Sequence, residues 1–266
     1  MKKRLAVCAL GLFPLFSTAL MAEEAGQETN NKLAGFALSG NLALVNDYIS
    51  RGLSGSDHGP AMQGTLNLNH DAGLYFGLFG TNVDLNDGDG SSLELDLSGG
   101  YTREWKNGTS IDFGLIQYVY PKAPAGVHYD YREYYLGTGY KLMDTSLKAK
   151  YYYSDAYMGN ALGGQDHSAS YLDTQVSYEI AHILPFKTTL KGHFGRAFGD
   201  YVKTTDRLGP KKGISGFNDY SIGAAAEFSA GLGLELNYIG VDNNGRELNS
   251  SSHADDRLAL SLSKSF

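Results

Sequence analysis

The sequence predicts an all-β fold: a transmembrane, antiparallel, up-and-down β-barrel of about twelve strands. Three observations lead there. From Phe36 onward, large apolar side chains alternate with small or polar ones in segments of roughly ten residues, the length of a strand that crosses a bilayer. The connections between these segments alternate long and short. No stretch after Met21 approaches the ~18 consecutive apolar residues of a spanning helix.

A strand points successive side chains to opposite faces, so alternation makes one apolar and one polar face. Phe36, Leu38, Leu42, Leu44 and Tyr48 are read on one face, with Ser39, Asn41, Ala43 and Asp47 on the other. Leu93, Leu95, Leu97 and Tyr101 oppose Glu94, Asp96, Ser98 and Thr102. Leu172, Val176 and Tyr178 oppose Asp173, Gln175 and Glu179. Tyr220, Ile222 and Phe228 oppose Ser221, Gly223 and Glu227. The last segment carries Leu258, Leu260, Leu262 and Phe266 in phase, a strand of the kind read by barrel-assembly machinery.

The connections predict orientation. Long ones are expected at Arg51–Gly59, Asp84–Ser91, Lys122–Asp130, Ser154–His167, Asp200–Gly216 and Asp242–Asp256. Short ones fall between them, at His70–Gly73, Lys106–Gly108, Met143–Thr145, Ala181–Pro185 and Ser229–Gly231. Bacterial outer-membrane barrels place long loops outside and short turns toward the periplasm. An apolar face on about twelve strands would aggregate in water. Lipid can cover it, but only on a closed sheet, because hydrocarbon satisfies no open edge. The competing architecture is a soluble sandwich or lipocalin-like barrel with its apolar face inward. The loop alternation weighs against it.

Composition agrees. The 266 residues include 34 Gly and 19 Tyr but only 6 Pro, which suits strands, tight turns and interfacial aromatics. Tyr48, Tyr101, Trp105, Tyr118, Tyr120, Tyr134, Tyr140, Tyr178, Tyr220, Phe228, Tyr238 and Phe266 are expected in the aromatic girdles. A formal net charge of -7, with no basic stripe, argues against nucleic acid as a partner. Residues 1–22 read as a secretory signal: basic Lys2, Lys3 and Arg4, then an apolar run, then small residues, with cleavage after Ala19 or Ala22. Residues 23–33 read as a flexible lead-in and 34–266 as the barrel. The single cysteine, Cys8, lies in the signal, so the mature chain has no thiol for disulfides or metal.

The polar face would line the lumen. Its acidic candidates are Asp47, Glu94, Asp96, Asp112, Glu133, Asp173, Glu179, Glu227 and Glu235. Its basic candidates are Arg51, Lys148, Lys150, Lys187, Lys191 and His193. Such charges either set a field that selects among passing solutes or form ion-pair ladders that fill a closed lumen. Asp47 and Arg51 could pair with each other, or Arg51 could reach an acid inside the barrel. The acidic loop Asp84–Gly90 departs from EF-hand spacing and reads as a solvated turn. Lys203, Arg207, Lys211 and Lys212 make one outer loop basic, able to meet lipopolysaccharide phosphates or simply solvated. His167-Ser168-Ala169-Ser170 lacks the spacing of barrel lipases, so no enzyme is expected, and no cofactor motif appears.

The segment Asp47-Tyr48-Ile49-Ser50-Arg51-Gly52-Leu53-Ser54, with Pro60-Ala61-Met62-Gln63-Gly64, resembles the N-terminal signature of the TorF family of porin-like proteins. Leu93-Glu94-Leu95-Asp96-Leu97, Tyr118-Val119-Tyr120-Pro121 and Glu133-Tyr134-Tyr135 extend the resemblance, which spans about residues 36–155. It implies an outer-membrane barrel embedded in lipid and lipopolysaccharide. The function it implies is passage of small hydrophilic solutes or ions. The alternatives are a non-conducting structural or surface-interaction barrel and, further off, a lipid-modifying enzyme.

Overall fold

The computed structural model describes residues 34–85, 90–161, 166–180, 185–202, 214–249 and 253–266. The signal and lead-in, the centre of the acidic loop, and Lys203, Arg207, Lys211 and Lys212 lie outside the described residues. In chain order the strands are β1 (Phe36–Val45), β2 (Ile49–Ser50), β3 (Leu53–Ser54), β4 (Ala61–His70), β5 (Leu74–Asn82), β6 (Leu93–Glu104) and β7 (Thr109–Val119). They continue with β8 (Tyr131–Leu142), β9 (Thr145–Ser154), β10 (Ala169–Ile180), β11 (Lys187–Gly199), β12 (Gly216–Glu227), β13 (Leu232–Val241) and β14 (Arg257–Ser265). A short helix, α1 (Asn243–Leu248), sits in the last long connection.

Twelve of these strands close one antiparallel barrel, as the alternation predicted. Each of β4 to β14 pairs with its sequence neighbours, and β1 joins β4 on one side and β14 on the other. Strands β2 and β3 form a separate two-stranded sheet that is not part of the barrel wall. The seam is asymmetric. β1 pairs with β4 along its whole length, Phe36 with His70 through Val45 with Ala61. Against β14 it pairs only from Asn41 with Ser265 to Val45 with Ser261.

The alternation resolves directly into outside and inside. Along β8, Tyr131, Glu133 and Tyr135 are buried while Arg132, Tyr134 and Leu136 are exposed. Leu38, Leu42, Leu44, Leu97, Leu136, Ile222, Leu258 and Leu262 are all at least half exposed. An exposed apolar surface that runs round every strand is stable only against apolar surroundings. The packed core lies on the other side of the wall, in the lumen. It collects at the end carrying the long connections, where Tyr48, Leu53, Tyr118, Tyr129, Tyr157 and Met158 are almost wholly buried.

Candidate functional site

The long-loop end of the lumen is filled by residues 47–56, the buried part of the connection between β1 and β4. β1 stops at Val45, and the chain turns inward as the two-residue hairpin β2–β3, with Ile49 paired to Ser54 and Ser50 to Leu53. Arg51 and Gly52 form its tip with φ of 47° and 77°, the positive values that a tight primed turn demands of both central residues. Gly52 is further required by space. A Cβ there would lie 2.5 Å from the Val241 side chain and 2.6 Å from that of Asp219.

The hairpin tip delivers Arg51 to the middle of the lumen. Its guanidinium donates two hydrogen bonds to the Glu133 carboxylate, at 2.9 and 2.7 Å. It also lies 4.4 Å from the ring centroid of Tyr171, with the rings of Tyr152 and Tyr157 at 5.6 and 5.7 Å. The Tyr118 hydroxyl adds a bond of 3.1 Å to Glu133. A charged pair this deep is favourable only when the remaining polar atoms are satisfied and the cation meets aromatic faces. All those conditions hold.

The base of the hairpin is held separately. Asp47 accepts from Ser54 Oγ at 2.6 Å, from Ser56 Oγ at 3.2 Å and from Arg257 Nη1 at 3.0 Å. Tyr48 donates to Glu94 at 2.9 Å. Backbone bonds from Gly55 to Tyr48 and from Asp84 to Gly55 tie the return chain to the segment after β5. The hairpin is therefore fixed to four parts of the wall: β6, β8, the β5–β6 connection and β14.

Below the hairpin tip the contents change. Tyr171 donates to Asp219 at 3.0 Å, and the His193 ring lies 3.1 Å from Asp173 and 3.5 Å from Asp219. Gly195 makes room for this group, since a Cβ there would meet the Tyr171 hydroxyl. Next come ion pairs between strands two apart along the wall: Lys150 of β9 with Asp112 of β7, and Lys191 of β11 with Glu235 of β13, the latter at 2.8 Å. At the short-turn end Lys187 lies 3.5 Å from Glu179 and 4.0 Å from Glu227, all half-exposed. Between these pairs is a recess with about 480 Å³ of empty space, counting the solvent it opens to. Its polar lining includes Lys148, Gln175, Lys191, His193, Glu235 and Asn237.

The sequence-predicted residues thus divide in two. Asp47, Arg51, Glu94, Asp96 and Glu133 are buried in or around the plug. Asp112, Lys148, Lys150, Asp173, Glu179, Lys187, Lys191, His193, Glu227 and Glu235 lie on the walls below it. Asp47 and Arg51 do not pair with each other. The turn at Arg51–Gly52 carries the guanidinium away to Glu133, and Arg257 takes its place on Asp47. Three aromatics expected in the girdles are inside instead: Tyr48, Tyr118 and Tyr120 are 1%, 0% and 2% exposed. Tyr48 turns in with the hairpin, and Tyr118 shares the inward parity of Asp112 on β7. Trp105, Tyr134, Tyr140, Tyr178, Tyr220, Phe228, Tyr238 and Phe266 do face outward. Ser168 donates to Asp200 rather than to a histidine.

The solved structures most useful for comparison are porins. The chain is similar to the NanC porin, with 12% identity, a TM-score of 0.55, and 86% of this chain and 99% of that one covered. It is similar to the KdgM porin with 11% identity, a TM-score of 0.54 and the same coverage. Likeness at this identity concerns the fold alone. No curated protein sequence matches. The model of the Gcw_chp family, described as a bacterial protein of unknown function, matches residues 29–266, and the chain belongs to that family.

Proposed function

We propose that the protein is an outer-membrane channel of the porin type, closed at rest by its own β2–β3 hairpin. Small hydrophilic solutes or ions pass when the hairpin is displaced. The observation that carries this reading is the latch: a polar-walled lumen blocked at one end by a hairpin whose tip is locked through Arg51 and Glu133. The lipid-facing belt supports insertion in a membrane, and porin neighbours support the outer one. By the usual arrangement, long connections face the outside and its lipopolysaccharide, and short turns face the periplasm. The TorF resemblance points the same way. Porin neighbours also favour a non-enzymatic role.

A second reading has its own observation. Tyr48, Leu53, Tyr118 and Tyr129 are as fully buried as the core of a soluble protein, as in a barrel that never conducts and serves a structural or surface role. Single-channel current in a planar bilayer separates the two. The refolded mature protein is compared with a variant in which residues 48–55 are replaced by a short Gly-Ser linker. The channel reading expects rare steps from the natural chain and frequent ones from the variant. A folded variant that gives no steps supports the non-conducting barrel. Frequent steps of equal size from both would show that the hairpin does not obstruct the path.

A further inference from the structure

The wall against which the plug rests buries more acid than base. Glu94, Asp96 and Glu133 are 0%, 3% and 1% exposed, and Arg51, the cation of this cluster, is engaged by Glu133. Among the described residues no cation forms an ion pair with Glu94 or Asp96. The register explains why. Asp96 stands opposite Phe79 on β5 and Tyr118 on β7, and Glu94 stands opposite Thr81 on β5. The titratable and charged groups that face the pair are Tyr118 of β7, Tyr120 just beyond it, Tyr131 and Glu133 of β8, and Tyr48 and Arg51 of the plug. Two ionised carboxylates in such surroundings would lose their hydration and repel each other with nothing to offset either cost.

Instead the two acids bond each other. One residue apart on β6, both turn into the lumen, and their carboxyl groups share a hydrogen bond. An ionised carboxylate only accepts, so a bond between two carboxyls must contain a proton. The other partners decide which group carries it. Glu94 Oε1 accepts from the Tyr48 hydroxyl at 2.9 Å, and Tyr120 bonds the same carboxyl. Donors of this kind favour the ionised form. Asp96 receives no such donor among the described residues, and its partner is Glu94.

We propose that Asp96 is a neutral carboxylic acid donating to the Glu94 carboxylate, and that this one proton keeps the plug seated until alkaline surroundings remove it. Tyr48, at the base of the hairpin, rests on Glu94, so the acid pair is part of the wall's hold on the plug. Loss of the proton to hydroxide turns the bond into two adjacent buried charges, with Glu133 a third nearby. Water relieves that repulsion, and it reaches the pair when the hairpin leaves. The sign follows from linkage. The seated state holds a proton that a carboxyl in the unfolded chain has already given up at neutral pH, so seating weakens as pH rises. The consequence for passage, a pore opened by alkali, rests on the channel reading. The proton and the seating do not, so the two can fail separately.

The test compares the natural mature barrel, refolded in detergent, with Asp96→Asn, whose amide still donates to Glu94 but cannot ionise. Folding is checked by heat-dependent gel mobility. At about pH 7 the infrared spectrum of the natural chain should contain the carbonyl stretch of a protonated carboxyl that Asp96→Asn lacks. Backbone hydrogen exchange over residues 47–56 should be alike in the two chains at about pH 7, and at least tenfold faster in the natural chain at about pH 9.5. Spectra without that difference would overturn the proposal, as would equal exchange at both pH values. So would a plug that loosens at neutral pH when calcium is chelated, which would put a cation between the acids instead of a proton. Should Asp96→Asn not fold, the natural chain's own carboxyl band must fade over the same pH range, and an unchanged band overturns the proposal. Faster exchange at high pH without bilayer steps would count against conduction and leave the shared proton in place.

Discussion

Arg51 and Lys148 are both cations inside the same barrel, yet their surroundings are opposite. Arg51 is 7% exposed, doubly bonded to Glu133 and enclosed by tyrosine rings. Lys148 is half-buried at a recess and has no ion-pair partner among the described residues. The first arrangement is one that proteins use to hold a shape. The second is balanced only at longer range, by Glu104 and Asp112. One lumen therefore contains a plugged half and a half whose walls carry ion pairs, and the boundary runs near Tyr171 and His193.

The comparison can be broken most forcefully at the latch. Arg51→Ala leaves Glu133 buried without its cation, which should cost about 3–5 kcal/mol and raise channel activity together. The midpoint of urea unfolding in detergent and the frequency of bilayer steps check the two effects. Loss of stability with no change in current would separate the plug from gating. Gly52→Ala adds a Cβ against Val241 and Asp219 at positive φ, and should destabilise by about 1–3 kcal/mol in the same unfolding assay. Tyr171→Phe keeps the ring beneath Arg51 but removes the hydroxyl from the buried Asp219. A loss of about 1–3 kcal/mol is expected.

On the other side, Lys148→Gln should change stability by less than about 0.5 kcal/mol, because no partner is orphaned. In the barrel with the hairpin replaced, Lys148→Glu should move the reversal potential in a salt gradient toward cation preference. The smallest effect lies outside the barrel wall, at His253. Burial holds its imidazole below the ordinary histidine value, partly opposed by Asp57 at 3.6 Å and reinforced by the neighbouring His58. The folded state then favours the neutral ring, and the unfolded chain takes up the proton first. Stability from this site is complete above the ordinary value and is lost as pH falls through the lowered one. His253→Gln should therefore flatten the fall in unfolding midpoint between about pH 7.5 and pH 5.

Much of the wall was legible because a period of two has a single physical meaning once one face is apolar. Leu93, Leu97, Leu258 and Leu262 fall outside, and Glu94 and Asp96 inside, as alternation requires. The plug was not legible, because its first residues continue that same period. Asp47 and Tyr48 read as the end of β1, and nothing local says that the wall has already stopped at Val45. A signal did exist in Arg51-Gly52 flanked by Ser50, Leu53 and Ser54, a primed turn between two very short extended pairs. Tyr118 carried a plainer one. It lies six residues from Asp112 on β7, so both must face the same way. Tyrosine suits a lipid interface and a packed lumen alike, and only parity decides between them. Which cation lacks a partner depends on strand register, and composition does not contain that.

The uneven seam between β1 and β14 bears on how the barrel assembles. β1 meets β4 after one connection, but it meets β14 only after nearly the whole chain has been laid down, and then over half its length. Closing so long a loop is entropically late and depends on all the intervening hairpins. Arg257 opens β14 and reaches back to Asp47 at the base of the plug. The final strand thus brings with it the bond that secures the inserted hairpin. Ring closure and sealing of the lumen would then be one kinetic event, with the unsealed species short-lived during folding.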